Sequence, residues 1–250
     1  MSGPIGSSQW MYNAGSAYEI DQSLRFEDGD SAVLSKDFST SETSDKIKTL
    51  SFWMKRSNLG QMDLWGCNAA SEDTNTRIIC HFDSRDRISI QSRLSGAGDT
   101  ANTIMNFRDT SAWYHLVFSF DMTQSTASER FKLYVNGVLT STLLYSEYLS
   151  QNRIIQFGNN ISSSSSRIGD TNSTGFAKFD GYISEVHLVD GQQLDHTSFG
   201  ETGDYGEWKP IEYSGTYGTN GFYLNFSNSG ALGTDSSGNS NTWTANNLAA

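Results

Sequence analysis

Two acidic side chains near the start of the chain come closest to the spacing that carbohydrate cleavage requires. Glycoside hydrolysis uses two carboxylates held roughly 5–9 Å apart on either side of the sugar bond. On a β-strand such acids stand at positions i, i+2 and i+4 or i+5. Glu19 and Asp21 have this spacing, but Leu24 stands where a third acid is wanted, and the pair precedes the first predicted strand. Glycosidase activity is therefore a remote alternative that rests on Glu19 and Asp21.

Histidines and nucleophile motifs offer no further catalytic candidate. The four histidines, at positions 81, 115, 187 and 196, are widely separated, and the His-Glu-x-x-His pattern of zinc hydrolases is absent. The sequence has neither a Gly-x-Ser-x-Gly elbow nor a glycine loop that would bind phosphate. We therefore expect that the protein is not an enzyme.

Aromatic side chains are better candidates for binding. Trp113 and His115 alternate with the core-facing residues of their predicted strand, and Trp53 has the same outward position in its own strand. A sugar ring stacks on an exposed indole while nearby amides and carboxylates bond its hydroxyls. Trp53, Trp113 and His115 are thus candidate carbohydrate-binding residues. The alternative is that the tryptophans are packed beneath the C-terminal part of the chain.

A predicted hairpin positions Trp113 and His115. Residues 114–120 and 131–135 alternate with period two, which is typical of strands, and Asn136-Gly137 is the pair that a tight hairpin turn prefers. Residues 138–145 are predicted to return as the partner strand. The other predicted strands are residues 23–26, 31–34, 47–56, 62–67, 76–82, 87–94, 103–107, 154–158, 167–170 and 178–190. The serine run 162–166 is predicted to be a loop.

Length and composition favour one main all-β domain. The chain has 250 residues, with 23 glycines for turns and only 2 prolines. Its net charge of −11 disfavours nucleic acid as a partner, because a phosphate backbone is repelled. No apolar run reaches membrane-spanning length and the N-terminus has no signal-peptide pattern, so we expect no membrane insertion. Cys67 and Cys80 are interpreted as two buried thiols, with a cross-strand disulfide as the alternative.

The chain divides into three predicted parts. Residues 1–20 form an irregular arm whose aromatics, Trp10, Tyr12 and Tyr18, are candidates for attachment to a neighbouring subunit or another protein. The alternative is an arm that lies across its own domain. Residues 21–199 form the main domain, and residues 200–250 are an extension rich in Gly, Ser and Asn. Residues 223–226 echo residues 23–26, which predicts an added strand in the extension or, alternatively, the beginning of a second, incomplete module.

Five phrases in order resemble laminin-G-like, concanavalin A-like jelly-roll domains over residues 21–199. They are SLRFEDGDSAVL, LSFWMKR, AWYHLVFSFD, FKLYVNG and FDGYISEVHLVDGQQL. The resemblance implies an all-β sandwich of two antiparallel sheets packed face to face. No cofactor is expected to be required, but the resemblance implies that calcium can bind loop aspartates. The acids to test are Asp28, Asp30, Asp170 and Asp180, and the alternative is that they are ordinary solvated turn residues.

A second set of phrases resembles virion proteins of tailed phages, particularly marine ones. It consists of AWYHLVFSFDMTQ, FDGYISEVHLVDGQQL and the C-terminal YSGTYGTNGFYLNFSNSGALGTDSSGNSNTWTANNL. This resemblance implies a structural protein made in the host cytoplasm without a signal peptide and displayed on the virion surface as a head decoration or head fibre. Expected partners are other capsid or tail proteins, glycans and further copies of the chain. A tail-fibre or receptor-binding module that adsorbs to host carbohydrate is the alternative.

Overall fold

The structure is a computed structural model that describes residues 18–69, 76–94, 97–140, 143–144, 148–161, 164–172 and 176–248. Helical structure in these ranges is limited to one turn, α1 (Ala127–Arg130), and a 3₁₀ turn at His196–Ser198. No helix within them has the length and apolar character needed to cross a membrane. Two of the sequence-derived attachment residues, Trp10 and Tyr12, lie outside the described residues.

One large sheet, here called the front sheet, contains seven antiparallel strands. They are β1 (Leu24–Phe26), β3 (Ile47–Arg56), β8 (Tyr114–Asp121), β9 (Phe131–Val135), β10 (Val138–Leu139), β13 (Gly181–Asp190) and β16 (Phe222–Leu224). The strand order is β1-β13-β3-β8-β9-β10, and β16 also pairs with β13. The alternating apolar residues of β3, β8 and β13 give this sheet one face that packs in the core and one outer face.

The second sheet, the back sheet, contains eight antiparallel strands. They are β2 (Val33–Lys36), β4 (Met62–Ala69), β5 (Thr76–Phe82), β6 (Arg87–Leu94), β7 (Ala97–Asn106), β11 (Leu143–Leu144), β12 (Ser164–Ile168) and β17 (Thr244–Asn246). Their order is β11-β7-β6-β5-β4-β12-β2-β17. A separate two-stranded hairpin is formed by β14 (Gly200–Thr202) and β15 (Trp208–Pro210). The predicted two-sheet antiparallel jelly-roll sandwich is confirmed.

The main core fills the space between the two sheets. Leu116, Phe118 and Phe120 of β8 are buried on its inner face, as the period-two pattern predicts. Trp65 of the back sheet meets Phe118 edge to face, with ring centroids 5.3 Å apart. Trp243, which precedes β17, is packed in the same core. The C-terminal segment is therefore part of the sandwich and contributes to its stability.

The two cysteines lie in the back sheet as free, buried thiols. The strand register places Cys67 opposite Ile78 and Cys80 opposite Trp65, so the cysteines are not direct cross-strand partners. Burial raises the pKa of Cys67 to about 12. A thiol in this environment is unreactive, because the thiolate is the nucleophile.

The predicted Asn-Gly hairpin is present, but its second strand is shorter than predicted. Asn136 and Gly137 have φ values of 47° and 78°, as a tight two-residue turn requires. The returning strand β10 ends at Leu139, and residues 143–144 pair with β7 in the back sheet instead. Gly137 has a second role, because a Cβ atom there would lie 2.4 Å from the ring of Trp208.

Residues 164–166 of the serine run, predicted to be a loop, belong to strand β12 in the interior of the back sheet, so the prediction is wrong for these residues. Residues 162 and 163 lie outside the described residues. β12 pairs with β4 on one side and β2 on the other. Ser164 and Ser166 point inward and are buried, and the Ser166 hydroxyl accepts a hydrogen bond from the Gly158 amide at 2.9 Å. Pairing on both edges outweighs the weak strand propensity of serine. The predicted strand at 154–158 is irregular but buries Ile155 and Phe157.

Strand β13 organises the front sheet because its two halves have different partners on one side. β1 pairs with Gly181–Ile183 and β16 pairs with Val186–Leu188, so these short strands lie end to end. Between them the register with β3 shifts, and Glu185 has a φ of 53°. A β-bulge of this kind re-aims a side chain. Here it turns Glu185 towards the outer face of the front sheet, where the candidate site lies.

Candidate functional site

A loop layer covers much of the outer face of the front sheet. The layer comprises residues 194–217 and includes the β14–β15 hairpin. It forms a small second core on the sheet, made of Val117, Tyr134, Val189 and Phe199 with Leu194, Tyr213 and Tyr217 packed against them. Because the layer covers only part of the sheet, two clefts remain at its borders.

The first cleft, here called the tryptophan cleft, has a volume of about 630 Å³. It is lined by Tyr18, Glu19, Ile20, Asp21, Gln22, Ser23, Trp53, Trp113, Ser184, Trp208, Lys209 and Pro210. The structure thus brings together the two tryptophans that the sequence singled out. Trp208 is a third, and sequence reasoning assigned it no binding role because its position depends on contacts with residues far away in the chain.

His115 holds two of the three indoles in place. Its ring stacks on Trp53 at 4.8 Å and lies 6.0 Å from the ring of Trp208, with interplanar angles of 24° and 22°. The Trp208 Nε1 donates a hydrogen bond to His115 Nδ1 at 2.9 Å, and His115 Nε2 lies 2.9 Å from the Ser51 hydroxyl. His115 is 1% exposed, and burial lowers its pKa to about 3. It is a neutral positioning residue beneath the cleft rather than a surface contact.

The tryptophans differ in how much of their surface they present. Trp113 is 37% exposed, with its ring tilted at 6.4 Å from Tyr182. Trp53 and Trp208 are half-buried. Trp53 is partly covered by the loop layer, which agrees with the alternative that the tryptophans are packed beneath the C-terminal part of the chain. Trp113 stands at the open edge of the cleft, where a sugar could stack on it.

Polar groups stand beside the indoles. Glu19 and Asp21 are exposed and lie on the irregular segment before β1, while Lys209 pairs with Glu201 at 3.1 Å. Indole faces bind the C–H surface of a sugar, and carboxylates and amides bond its hydroxyls. The lining thus has two carboxylates, Glu19 and Asp21, and one cation, Lys209. This excess of negative charge disfavours an acidic ligand.

The second cleft, here called the tyrosine cleft, has a volume of about 720 Å³. It is lined by Tyr18, Thr43, His187, Glu212, Tyr213, Ser214, Gly215, Thr216, Tyr217, Gly218, Thr219, Tyr223, Ser236, Ser237 and Asn239. Most of these residues come from the loop layer and from the segment after β16. Among the lining residues of the two clefts, Tyr18 is common to both.

A buried carboxylate fixes Tyr18 between the clefts. Glu185 is 6% exposed and accepts hydrogen bonds from the hydroxyls of Tyr18 and, at 2.7 Å, Tyr223. Burial alone would raise the pKa of Glu185, but the neighbouring His187 and the two hydroxyls outweigh it and hold the pKa below its ordinary value. His187 Nδ1 lies 2.9 Å from the Tyr217 hydroxyl. Tyr18, a sequence-derived attachment residue, is thus bonded to its own domain.

The four aspartates considered for calcium binding do not form a single cluster in the structure. Asp28 and Asp180 lie close to each other and to Glu27, with carboxylate oxygens within 4.8 Å. Asp170 is paired with Arg167 at 2.7 Å and Lys178 at 3.3 Å.

Asp30 is exposed and does not belong to the Asp28 group. That group already contains a cation, because the Arg25 guanidinium lies 2.5 Å from Asp180 and 2.7 Å from Glu27. The three carboxylates do not fit a calcium ion while Arg25 occupies this position, since the guanidinium takes the oxygens that calcium would need.

Comparisons with known proteins show which family and which solved structures the chain is similar to. A family model described as the concanavalin A-like lectin/glucanases superfamily matches residues 27–195. A protein of Bacteroides ovatus proposed to bind carbohydrate has a similar structure, with a TM-score of 0.58 and 14% identity over 90% of this chain. Domains LG4-5 of the mouse laminin alpha1 chain give a TM-score of 0.50 and 11% identity over 86% of this chain.

The match spans 58% of the length of the Bacteroides structure and 52% of the laminin structure. At these identities the likeness concerns the fold. No curated protein matches the sequence.

Proposed function

The chain belongs to the concanavalin A-like lectin/glucanase superfamily, and we propose that it is a carbohydrate-binding module that holds neutral glycans in the tryptophan cleft. The observation that carries this proposal is the convergence of Trp53, Trp113 and Trp208 on one open cleft of about 630 Å³. Tryptophans at such a surface provide large flat faces for sugar rings. The module binds its ligand without turnover.

The arrangement of the indoles supports recognition of a sugar. Trp53 and Trp208 are held by His115, so their faces are positioned before a ligand arrives, and little ordering entropy is lost on binding. Trp113 is free on one side to stack. The acidic lining and the net charge of −11 repel sialylated, sulfated and uronic glycans, which leaves neutral sugars as the ligand class.

A glycan array tests this proposal. The wild-type protein is expected to bind one class of neutral glycans, with equal signal in calcium and in a chelator. Trp113→Ala is expected to abolish the signal, whereas Tyr205→Ala, at a residue that is 94% exposed and does not line the cleft, is expected to leave it unchanged. Blank arrays for the wild-type protein, or undiminished binding by Trp113→Ala, would refute carbohydrate binding at this cleft.

We also propose that the module is displayed on the particle of a tailed phage, on the head or, alternatively, as part of a tail fibre. The observation that favours this role is that the phage-like C-terminal phrases supply β16, β17 and Trp243 to the sandwich. Those phrases therefore belong to the folded module, and the arm, residues 1–20, is the proposed attachment segment. Virion proteins and further copies of the chain would be its partners.

Labelled antibody on intact virions tests the display. It is expected to decorate particles, and Trp10→Ala with Tyr12→Ala is expected to reduce the amount of protein incorporated without changing the melting temperature of the purified module. Unlabelled particles would end the virion proposal and leave the carbohydrate proposal standing.

A further inference from the structure

The two clefts lie side by side along the same face of the protein. Trp208, Lys209 and Pro210 line the tryptophan cleft, and the chain then continues directly into residues 212–219, which line the tyrosine cleft. On the sheet beneath, Trp53 and Ser51 are two residues apart on β3, a distance of about 7 Å. His187, the cross-strand partner of Ser51, lies at the floor of the tyrosine cleft.

Tyr18 lies at the boundary between the two clefts. Its hydroxyl donates a hydrogen bond to Glu185 and lies 2.7 Å from the Tyr223 hydroxyl, so its position is fixed from below. Because its side chain lines both clefts, a ligand that extends from one into the other must pass over this ring.

The tyrosine cleft has its own aromatic wall. The rings of His187, Tyr217 and Tyr223 are nearly parallel, with interplanar angles of 9° or less between each pair. Tyr213 stands almost perpendicular to Tyr217, at 5.1 Å and 78°. Glu212 and further hydroxyls and amides supply polar groups at the rim.

Most of the lining of this cleft lies outside the part of the chain that the family model matches. Apart from Tyr18, Thr43 and His187, its lining comes from residues 212–239, whereas the family match ends at residue 195. Among the described residues, its lining includes one acidic side chain, Glu212, and no lysine or arginine. Like the tryptophan cleft, it suits an uncharged ligand.

We propose that the two clefts bind one glycan together, so that the ligand is an extended neutral polysaccharide chain rather than a single terminal sugar. One stretch of the chain stacks on Trp53, Trp113 and Trp208, the middle crosses Tyr18, and the next stretch lies against Tyr213 and Tyr217. This inference rests on the proposed carbohydrate binding at the tryptophan cleft and names the form of the ligand.

Chain length is the property that tests the inference. Neutral oligosaccharides of glucose, galactose, mannose and N-acetylglucosamine are printed on a glycan array, each as a series from disaccharide to hexasaccharide. Oligomers of glucuronic acid are printed on the same array as charged comparisons. For the bound class, the affinity of the wild-type protein is expected to rise by roughly tenfold once the chain reaches the second cleft, the gain of one further aromatic contact. Equal affinity for disaccharide and hexasaccharide would overturn the inference.

Two variants block the tyrosine cleft from two different segments of its lining. Ser214 and Ser236 are both exposed lining residues, so Ser214→Trp and Ser236→Trp fill the cleft without entering the core. Each is expected to remove the gain for long chains and to leave the affinity for disaccharide unchanged. Ser229→Trp adds the same ring at an exposed serine outside the lining of both clefts and is the matched control. Undiminished hexasaccharide binding by both blocking variants would overturn the inference.

The outcomes separate this inference from the proposal on which it rests. If the wild-type protein binds no oligomer of any length, carbohydrate binding itself fails. If it binds short and long oligomers equally and Trp113→Ala abolishes both, the tryptophan cleft is the whole site and the extended-chain inference fails alone. Loss of the long-chain gain in the blocking variants, with loss of all binding in Trp113→Ala, supports both.

Discussion

The Trp208 indole nitrogen donates a hydrogen bond to Nδ1 of His115 across a distance of 2.9 Å, which joins the β14–β15 hairpin to the front sheet. Since Nδ1 accepts this bond, the ring proton of neutral His115 lies on Nε2 and points to the Ser51 hydroxyl. The Trp208 ring is also confined by two glycines, because a Cβ atom at either Gly137 or Gly200 would lie 2.4 Å from it. One wall of the tryptophan cleft is therefore fixed by contacts below it.

Trp208→Phe removes the donor while keeping an aromatic ring. Either tautomer of His115 then leaves one buried nitrogen unpaired, which is expected to lower the free energy of unfolding by about 2 kcal/mol. Chemical denaturation at pH 7 measures the change. Tyr205→Phe in the same hairpin is the control, expected to have no effect because Tyr205 is 94% exposed. Equal stabilities of the two variants would show that the indole hydrogen bond contributes nothing.

Tyr18→Phe tests the hydrogen bond to the buried Glu185 carboxylate. At pH 7 the loss of one donor to a charged acceptor is expected to cost about 2 kcal/mol of unfolding free energy. The pKa of Glu185 is held below its ordinary value, so the stability from this carboxylate is present above that value and is lost as the pH falls through the lowered pKa. The effect of Tyr18→Phe should therefore shrink in acid.

The matched control for Tyr18 is Tyr182→Phe on β13, because the Tyr182 hydroxyl makes no hydrogen bond to a described residue. Denaturation curves at pH 7 and near pH 3 give the comparison. An effect of Tyr18→Phe that is the same at both pH values, or no larger than that of the control, would show that Glu185 is not the group that holds Tyr18.

The sequence predicted the scaffold well where alternation is strong. β3, β5 and β6 begin and end at the predicted residues, and the Asn136-Gly137 turn is present, because inward apolar side chains and turn chemistry are local signals. The serine strand β12 carries no such signal, since its place depends on pairing with β4 and β2. The position of such a strand can be predicted only when the neighbouring strands of the tertiary fold are known.

The candidate site was predictable only in part for a related reason. Outward position in a strand identified Trp53 and Trp113, but nothing in that pattern shows which segment covers a sheet face. Trp208 meets His115 across 93 positions of sequence, and the bulge that turns Glu185 outward arises from the register between β13 and β3. Both relationships are set by packing between distant segments rather than by local residue type.

Asp63→Asn tests a buried carboxyl of the back sheet. Asp63 is 1% exposed, and only its Oδ2 has a partner among the described residues, the Thr171 amide at 3.0 Å. Burial raises the pKa of Asp63 to about 6. Its contribution to stability is therefore complete below pH 4 and is lost as the pH rises through 6, by roughly 3 kcal/mol at 1.36 kcal/mol per pKa unit.

Asparagine keeps the acceptor for Thr171 and cannot ionise. The stability of Asp63→Asn relative to the wild-type protein is thus expected to increase between pH 4 and pH 7, measured by denaturation at several pH values. Asp204→Asn, at an exposed position, is the control and should show a constant difference. If the Asp63→Asn difference is also constant, Asp63 does not change its protonation state on folding in this range.

Arg25→Met tests whether an internal cation takes the place of calcium. In the wild-type protein Arg25 neutralises Glu27 and Asp180, so neither millimolar calcium nor a chelator is expected to shift the melting temperature. Methionine keeps much of the side-chain length but leaves three neighbouring carboxylates without their cation. The variant is expected to lose about 2 kcal/mol of stability in chelator and to regain part of it in calcium, since oxygen ligands suit that ion.

Arg108→Met is the matched control for the calcium test. Arg108 pairs with Asp86 at 3.0 Å, but Asp86 keeps a second cation because Arg56 lies 3.1 Å away. Its melting temperature should therefore not respond to calcium. A rise in the wild-type melting temperature with calcium would contradict the role given to Arg25, because the ion would then bind while the guanidinium is present. An Arg25→Met variant that ignores calcium would show that the three carboxylates cannot converge on an ion even when the competing cation is gone.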